Sequence, residues 1–444
     1  MERLMKADMH RRQFLSATAS AFAALSLSGC MTRGPALANF DGYGPLVPDP
    51  EGLLDLPEGF SYRLLSSLGD AMSDGGTVPD KADGMGCIPL PTGELALVRN
   101  HELIPTDGSG GDIAEGFDRI AGKTVLPGGT TTLVLDAATL EKKREYRSLA
   151  GTIRNCSGGI TPWGSWLTCE EAVTGAESIA PDKLGESHGW VFEVPADAEK
   201  LVNPAPLKAM GRFNHEAACV DPETGIVYLT EDRPDSVLYR FIPNVAGELA
   251  KGGTLQAMRI AGVADTRNWE APSMPVRERL AVEWFTMDDV EAPEDDLRTR
   301  AAAQGAAIIA RGEGIHMGDG ELYICSTSGG AKKLGQIFRL IPGRGTRTDE
   351  IELFFESESE EQFNYGDNLT VGPNGHLIVC EDQYTDVVDN RLILLTANGE
   401  PHVFGRLRLQ TELAGGCFSP DGKWFFVNAY APTRTVAITG PWAV

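Results

Sequence analysis

Gly372-Pro-Asn-Gly-His-Leu-Ile-Val-Cys-Glu-Asp382 and Ser419-Pro-Asp-Gly-Lys-Trp-Phe-Phe-Val-Asn428 follow one plan. A turn of Pro, Asx and Gly feeds a run of β-branched and aromatic residues, which stops on a polar or acidic residue. Four earlier stretches repeat it: Leu90-Pro-Thr-Gly-Glu-Leu-Ala-Leu-Val-Arg-Asn100, Thr161-Pro-Trp-Gly-Ser-Trp-Leu-Thr-Cys-Glu-Glu171, Asp221-Pro-Glu-Thr-Gly-Ile-Val-Tyr-Leu-Thr-Glu231 and Gly318-Asp-Gly-Glu-Leu-Tyr-Ile-Cys-Ser326. A second strand follows each after a loop, at 130–136, 189–194, 237–242, 336–341, 391–396 and 435–439, and a short strand precedes each turn, as at 216–220 and 369–371. Six units of three or four strands predict an all-β, six-bladed β-propeller. The uneven spacing leaves a two-sheet sandwich as the alternative. The longest gap, 243–312, is an excursion from the blades. Its stretch 293–310 opens on Pro293 and three acids and continues Ala-rich, so a helical insertion is expected around 288–310.

The chain has 444 residues, 39 basic and 63 acidic, and a net charge of −24. That balance argues against a nucleic-acid binder and suits a protein that holds cations. At 42 % hydrophobic and 23 % charged residues the chain reads as folded, and 51 Gly with 27 Pro imply many turns. Arg11-Arg-Gln-Phe-Leu15, the short apolar run 14–29 and Leu27-Ser-Gly-Cys30 describe an export signal. The Arg pair resembles a twin-arginine signal, and Leu-Ser-Gly-Cys a lipobox with Cys30 as the lipidated residue. The expected organisation is a signal over 1–29, a tether and strap over 30–55, and a propeller over 56–444. The expected location is the periplasm or cell envelope, by the twin-arginine route, with membrane contact only through the lipid anchor. Seven Cys follow Cys30, an odd number that does not suit a disulfide framework. Cys169, Cys325 and Cys380 lie in apolar runs and read as core.

In a propeller the starts of the innermost strands meet at one mouth of the channel. The residues there are Asp83-Gly84, Asn155-Cys156, His215-Glu216, Glu313-Gly314, Asp367-Asn368 and Ala414-Gly415. Carboxylates so gathered repel one another unless cations lie between them. Their hard oxygens suit Ca²⁺, and the one thiol points to a softer ion such as iron. A second acidic set recurs at strand ends: Glu102, Glu170, Glu171, Glu231, Asp232, Glu381 and Asp382. His101 and His215 precede acids and are read as structural. No P-loop, dinucleotide fingerprint, G-x-S-x-G or H-E-x-x-H occurs.

Gly151-Thr-Ile-Arg-Asn-Cys-Ser-Gly-Gly-Ile-Thr-Pro-Trp-Gly-Ser-Trp-Leu-Thr-Cys-Glu-Glu171 resembles the hallmark of the PhoX-type alkaline phosphatases. So do Gly211-Arg-Phe-Asn-His-Glu216, Tyr228-Leu-Thr-Glu-Asp232, the stretch 305–314, Asp367-Asn-Leu369, Cys380-Glu-Asp382 and Ala414-Gly-Gly-Cys-Phe-Ser-Pro-Asp-Gly422, so the likeness runs from about Asp83 to Trp442. The resemblance implies a six-bladed propeller whose calcium and iron (Ca²⁺, Fe³⁺) hydrolyse small phosphomonoesters. By the same resemblance Cys156 is an iron-ligating thiolate, and Glu216, Glu313 and Asp367 bridge metals. Glu170, Glu171, Glu231, Asp232, Asn368, Glu381 and Asp382 are further ligand candidates. Arg311 would grip the phosphate, with Cys156 and Glu313 the other catalytic candidates. The last repeat departs from the family's Asn-Ile-Gln and Pro-Gly, reading Asn428-Ala-Tyr-Ala-Pro-Thr-Arg434, and Gly366 stands where the family has Pro. A monomer is expected. The residues also admit a calcium-dependent lactonase-like hydrolase, or a non-catalytic lipid-anchored propeller that uses calcium structurally.

Overall fold

The computed structural model describes residues 40, 42–173, 183–382 and 388–442. Strands dominate, and the repeat units become antiparallel sheets in a β-propeller-like arrangement. The first sheet contains Ala82–Pro89, Glu94–His101, Gly128–Asp136 and Lys142–Thr152; the second contains Asn155–Ile160, Ser165–Glu170 and Val191–Pro195. A nine-stranded sheet follows. It starts at His215–Val220 and ends at Gly312–Met317, and Arg279–Thr286 joins its halves by pairing with Gly253–Ile260 on one side and Asp349–Glu356 on the other. The next sheet starts at Gly366–Val371 and is extended at its far edge by Leu54–Pro57 and Leu46–Val47. The last starts at Leu413–Phe418 and is completed by Ser61–Ser67, which pairs with Arg434–Thr439. A strand from the early part of the chain and the last described strand thus share one sheet.

The first strand of each unit is an unpaired sheet edge. The six pack side by side in order, and Leu413–Phe418 returns to Ala82–Pro89. Closure hides edges that would otherwise invite foreign strands. It also requires close approach: a Cβ at Gly84 would meet Ser157 Cα at 2.5 Å, and one at Gly415 would meet the Asp83 carbonyl at 2.3 Å. Apolar clusters fill the wedges between neighbouring sheets. Val98, Val134, Trp166, Trp190 and Phe192 lie between the first two, and a clasp of Tyr43, Phe60, Phe404 and Trp442 holds the terminal segments together. All seven cysteines in the described residues are free and buried. Cys30 lies outside the described residues. No helix among them is long and apolar enough to cross a membrane.

The helix expected around 288–310 is only Leu297–Ala303. Ala292 and Asp295 are left-handed (φ +34° and +52°), so Pro293 and the acids form turns, and Asp296 rather than Pro293 precedes the helix. Gly305, at φ +94°, ends it, and Ile308–Ile309 is drawn into pairing with Ser236–Val237. Tertiary pairing here overrides the helix propensity of the alanines.

Candidate metal centre

All six inner strands carry the same irregularity at the same place. Ala82 faces His101 but Met85 faces Arg99, so three steps on one strand match two on its partner. The slip recurs between Asn155 and Gly158, His215 and Ala218, Gly312 and Ile315, Gly366 and Leu369, and Ala414 and Cys417. Such bulges re-aim side chains and free backbone groups. The freed carbonyls take side-chain donors from the preceding repeat unit: Asn428 Nδ2 donates to Asp83 O (2.7 Å), Asn100 Nδ2 to Cys156 O (3.0 Å), and Thr230 Oγ1 to Glu313 O (2.6 Å). Lys81, Arg154, Arg311 and Tyr365, each just before an inner strand, are left-handed with φ between 47° and 54°. That conformation costs a non-glycine residue about 1 kcal/mol, and strain of this kind gathers at functional sites.

The bulges carry Asp83, Cys156, Glu216, Glu313 and Asp367. Their donor atoms converge in four groups, each with atoms within 4.8 Å of one another: Asp83, Glu102 and Cys156; Cys156, Glu171 and Glu216; Glu216, Glu313 and Asp367; Asp367, Asp382 and Glu412. Cys156, Glu216 and Asp367 each belong to two groups, so the four form one linked chain. Beyond it along the inner strands lies a cavity of about 120 Å³, walled by Met85, Trp166, Ile315, Met317 and Leu369.

Burial pushes the pKa values of Asp83, Glu171, Glu216, Glu313 and Glu412 well above the usual carboxylate range, and Asp367 up to about 7. Neighbouring carboxylates add to it: Glu102 and Asp367 at Asp83, Asp367 and Glu171 at Glu216. The Cys156 thiol is raised likewise, by burial and then by Asp83, to whose Oδ2 it donates at 3.5 Å. Among the described residues, two guanidinium groups form ion pairs with this cluster. Arg154 pairs with Glu102 (2.7 Å) and Glu171 (2.6 Å); Arg311 takes Asp232 through Nε (2.8 Å) and Nη2 (3.2 Å), and Glu313 through Nη2 (2.9 Å). Glu216 is fully buried, and neither carboxylate oxygen has a hydrogen-bond partner; Asp83 Oδ1 and Asp382 Oδ1 are also unpartnered. A buried carboxylate in that state costs several kcal/mol, and a cation is what such oxygens fit. The donor set of eight carboxylates and one thiol suits metal ions.

The family model of alkaline phosphatase PhoX matches residues 41–138 and 129–433. The chain belongs to the PhoX alkaline phosphatase family. With that membership it is a hydrolase of phosphoric monoesters. Among solved structures it is similar to Pseudomonas fluorescens PhoX in complex with vanadate, a transition-state analogue. That match has a TM-score of 0.68 at 19 % identity and covers 89 % of this chain and 97 % of that one. A gluconolactonase from Xanthomonas campestris matches at a TM-score of 0.39 and 14 % identity, covering 92 % of this chain and 99 % of that one. A search of curated proteins finds no match.

Within this PhoX-family chain the sequence candidates divide by geometry. The structure brings together Cys156, Glu171, Glu216, Glu313, Asp367 and Asp382. Glu170, Glu231 and Glu381 fall outside the four groups because strand alternation turns each away from its C-terminal neighbour. Glu170 accepts the amides of Ile153, Gly189 and Trp190 and meets His188 Nδ1 at 2.7 Å. Glu381 is forked by Arg391 (2.6 and 2.7 Å), and Glu231 lies near Arg298. Asp232 is committed to Arg311. Asn368 orients Asp367, donating to its Oδ1 at 3.0 Å while accepting the Gly415 amide at 2.6 Å. His101 and His215 are buried and bonded to backbone carbonyls, as structural histidines are. Sequence reasoning missed Glu412 and left Glu102 outside the ligand set. Glu102 stands in the register of Glu171 and Asp382, one residue past a second strand, and that recurrence was the available signal. Glu412 stands one residue before its inner strand, where Arg154 and Arg311 stand in other units, and nothing in its local sequence marks it as a ligand.

Proposed function

We propose that this chain is a calcium- and iron-dependent phosphomonoesterase, a six-bladed propeller whose metals lie at the channel mouth. The observation that carries the reading is the linked set of four donor groups with the unpartnered, fully buried Glu216 carboxylate near its middle. Family membership, and the vanadate complex described for the Pseudomonas relative, support a phosphoryl-transfer chemistry for it.

Asp83, Glu102, Cys156, Glu171, Glu216, Glu313, Asp367, Asp382 and Glu412 would hold the metals. Sharing of Cys156, Glu216 and Asp367 between groups favours several ions over one. Oxygen-rich groups suit Ca²⁺, and the groups containing Cys156 suit Fe³⁺. When bound, the cations supply positive charge that polarises the phosphoryl group and stabilises the departing alkoxide. Arg311 binds and orients the ester. Asp232 and Glu313 hold its Nε and Nη2, and Nη1, which has no bond among the described residues, is offered to a phosphate oxygen. Asn368 keeps Asp367 in one orientation, and Arg154 does the same for Glu102 and Glu171.

The same reading has the chain exported by the twin-arginine route and tethered at Cys30 as a monomeric envelope lipoprotein. The test is elemental analysis of protein folded in an exporting host, with phosphate release from a chromogenic monoester before and after chelation. Calcium, iron and chelator-sensitive turnover are expected. Turnover that persists in demonstrably metal-free protein would overturn the metal-dependent reading.

A further inference from the structure

The four donor groups form an open chain. It begins at Asp83, Glu102 and Cys156 and ends at Asp367, Asp382 and Glu412. Its two ends meet at the seam where the last inner strand, Leu413–Phe418, returns to the first, Ala82–Pro89. Here the repeat changes its chemistry. Gly415 occupies the bulge position that elsewhere carries an acid or Cys156. Tyr430 stands one residue past the second strand, where other units place Glu102, Glu171, Asp232 and Asp382.

Tyr430 is bound from three directions. Its amide donates to the Glu412 carbonyl (3.1 Å), and its carbonyl accepts the Ala82 amide (3.2 Å). Its hydroxyl donates to Glu102 Oε2 at 2.5 Å. The other oxygen of that carboxylate, Oε1, accepts from Arg154 Nε at 2.8 Å. With the Arg154 guanidinium on Oε1, through Nε and Nη2, and the Tyr430 hydroxyl on Oε2, the plane of Glu102 is fixed and Oε2 keeps a further lone pair for a cation. The Tyr430 main chain meanwhile ties the first donor group to the last.

We infer that Tyr430 is a positioning residue that closes the ligand ring at its seam, holding Glu102 in the first donor group through its hydroxyl. The inference rests on the metal-dependent reading above. It assigns the phenol no contact with substrate. Partners that orient a metal ligand typically change metal affinity ten- to a hundredfold when removed.

The experiment uses the full chain purified with its metals from an exporting host. Metal number comes from elemental analysis, and the affinity of each class of ion from competition with a chelator of known strength. Tyr430→Phe keeps the ring and all main-chain bonds. It is expected to weaken one class of ion by roughly ten- to a hundredfold and leave the others in place. Glu102→Gln should weaken the same class, and the double variant should be no worse than Glu102→Gln, since the hydroxyl then has no carboxylate to hold. Unchanged affinity for every ion in Tyr430→Phe, or losses that simply add in the double variant, would overturn the inference while leaving the metal centre standing. Wild-type protein without tightly held metal would overturn both.

Discussion

The two ends of the inner strands use the same residue types to opposite purposes. At the turn end, acids are satisfied locally. Asp221 accepts the Glu223 amide (3.0 Å) and the Thr224 hydroxyl (2.7 Å) and pairs with Arg344 at 2.6 Å. On the same side of the first sheet, at the end of its third strand, bonds from the Thr139 amide and hydroxyl draw the pKa of Asp136 down. At the bulged end, burial and mutual repulsion push Asp83, Glu216 and Glu313 up, and Glu216 has no partner for either oxygen. One end builds the turn that folds the unit. The other carries charge that the fold does not itself satisfy, the mark of a site kept for a ligand at the expense of stability.

The sharpest way to break that contrast is one substitution at each end. Glu216→Met removes a buried carboxylate at nearly constant volume. Phosphomonoesterase kcat/KM should fall by at least roughly a hundredfold, while the metal-free variant unfolds at a higher temperature than metal-free wild type. Asp221→Asn should do the reverse, keeping turnover and costing about 1–3 kcal/mol of stability as the bond to Arg344 weakens. Kinetics with thermal unfolding of both variants decides; a Glu216→Met protein that is active, or destabilised when metal-free, refutes the contrast.

Metal removal acts on the bulged end alone. Each ion at a hundred times its dissociation constant stabilises the fold by about 2.7 kcal/mol, so stripping several ions should lower the unfolding free energy by more than about 5 kcal/mol. Metal-free protein should also gain a pH dependence. Asp367 is raised to about 7 in the folded state, so that state binds the extra proton. Its contribution is present below the ordinary carboxylate range and is lost as pH rises through about 7. Metal-free protein should therefore unfold more readily at pH 8 than at pH 5.5, and loaded protein should not share that trend. Denaturant titrations at both pH values, with and without chelator, check it.

Much of this was legible in the chain because turn glycines and alternating strands leave a strong local signature. Gly375 and Gly422 sit at φ +76° and +71°, which their turns require, and the strand Gln336–Ile341 falls where its pattern placed it. Positions before each turn marked the bulged end. Which of two adjacent acids turns toward it was not legible. Glu170 and Glu171, or Glu381 and Asp382, are equivalent in composition, and only strand register separates them. Glu412 was hidden because its role comes from packing of the last sheet against the one before it, which brings it to Asp367 and Asp382. The alanine-rich excursion misled for the same reason: a distant strand, Ser236–Val237, claims Ile308–Ile309.

The adjacent acids offer a smaller test. Glu381 is buried with Arg391 forked across both oxygens, and two further carbonyls hold that guanidinium. Glu381→Gln leaves Arg391 buried without its counter-charge and should cost about 3–5 kcal/mol, with metal content unchanged. Asp382→Asn, one residue on, should change metal content and cost less stability in metal-free protein. Unfolding by urea and elemental analysis of both variants read the difference, and a loss of metal in Glu381→Gln would erase the distinction between neighbours.

The smallest effect concerns how the bulged end is braced from outside. His188 is buried between Glu170 (2.7 Å) and Asp118 (3.2 Å), and Asp118 also accepts amides from Arg119, Gly185 and Glu186. Burial alone would lower the imidazole pKa, but Glu170 and Asp118 outweigh it and raise it to about 9. A folded-state value above the unfolded one, about 6.5, means that the stabilisation is complete below pH 6.5 and disappears as pH rises through 9. A shift of this size corresponds to about 3–4 kcal/mol. His188→Gln should therefore be less stable than wild type at pH 6, and the gap should narrow by pH 10, both proteins being saturated with metal so that the ligand carboxylates do not titrate. A gap that stays constant across this range would show the imidazole to be neutral in the fold, and the brace would then be hydrogen bonding without charge.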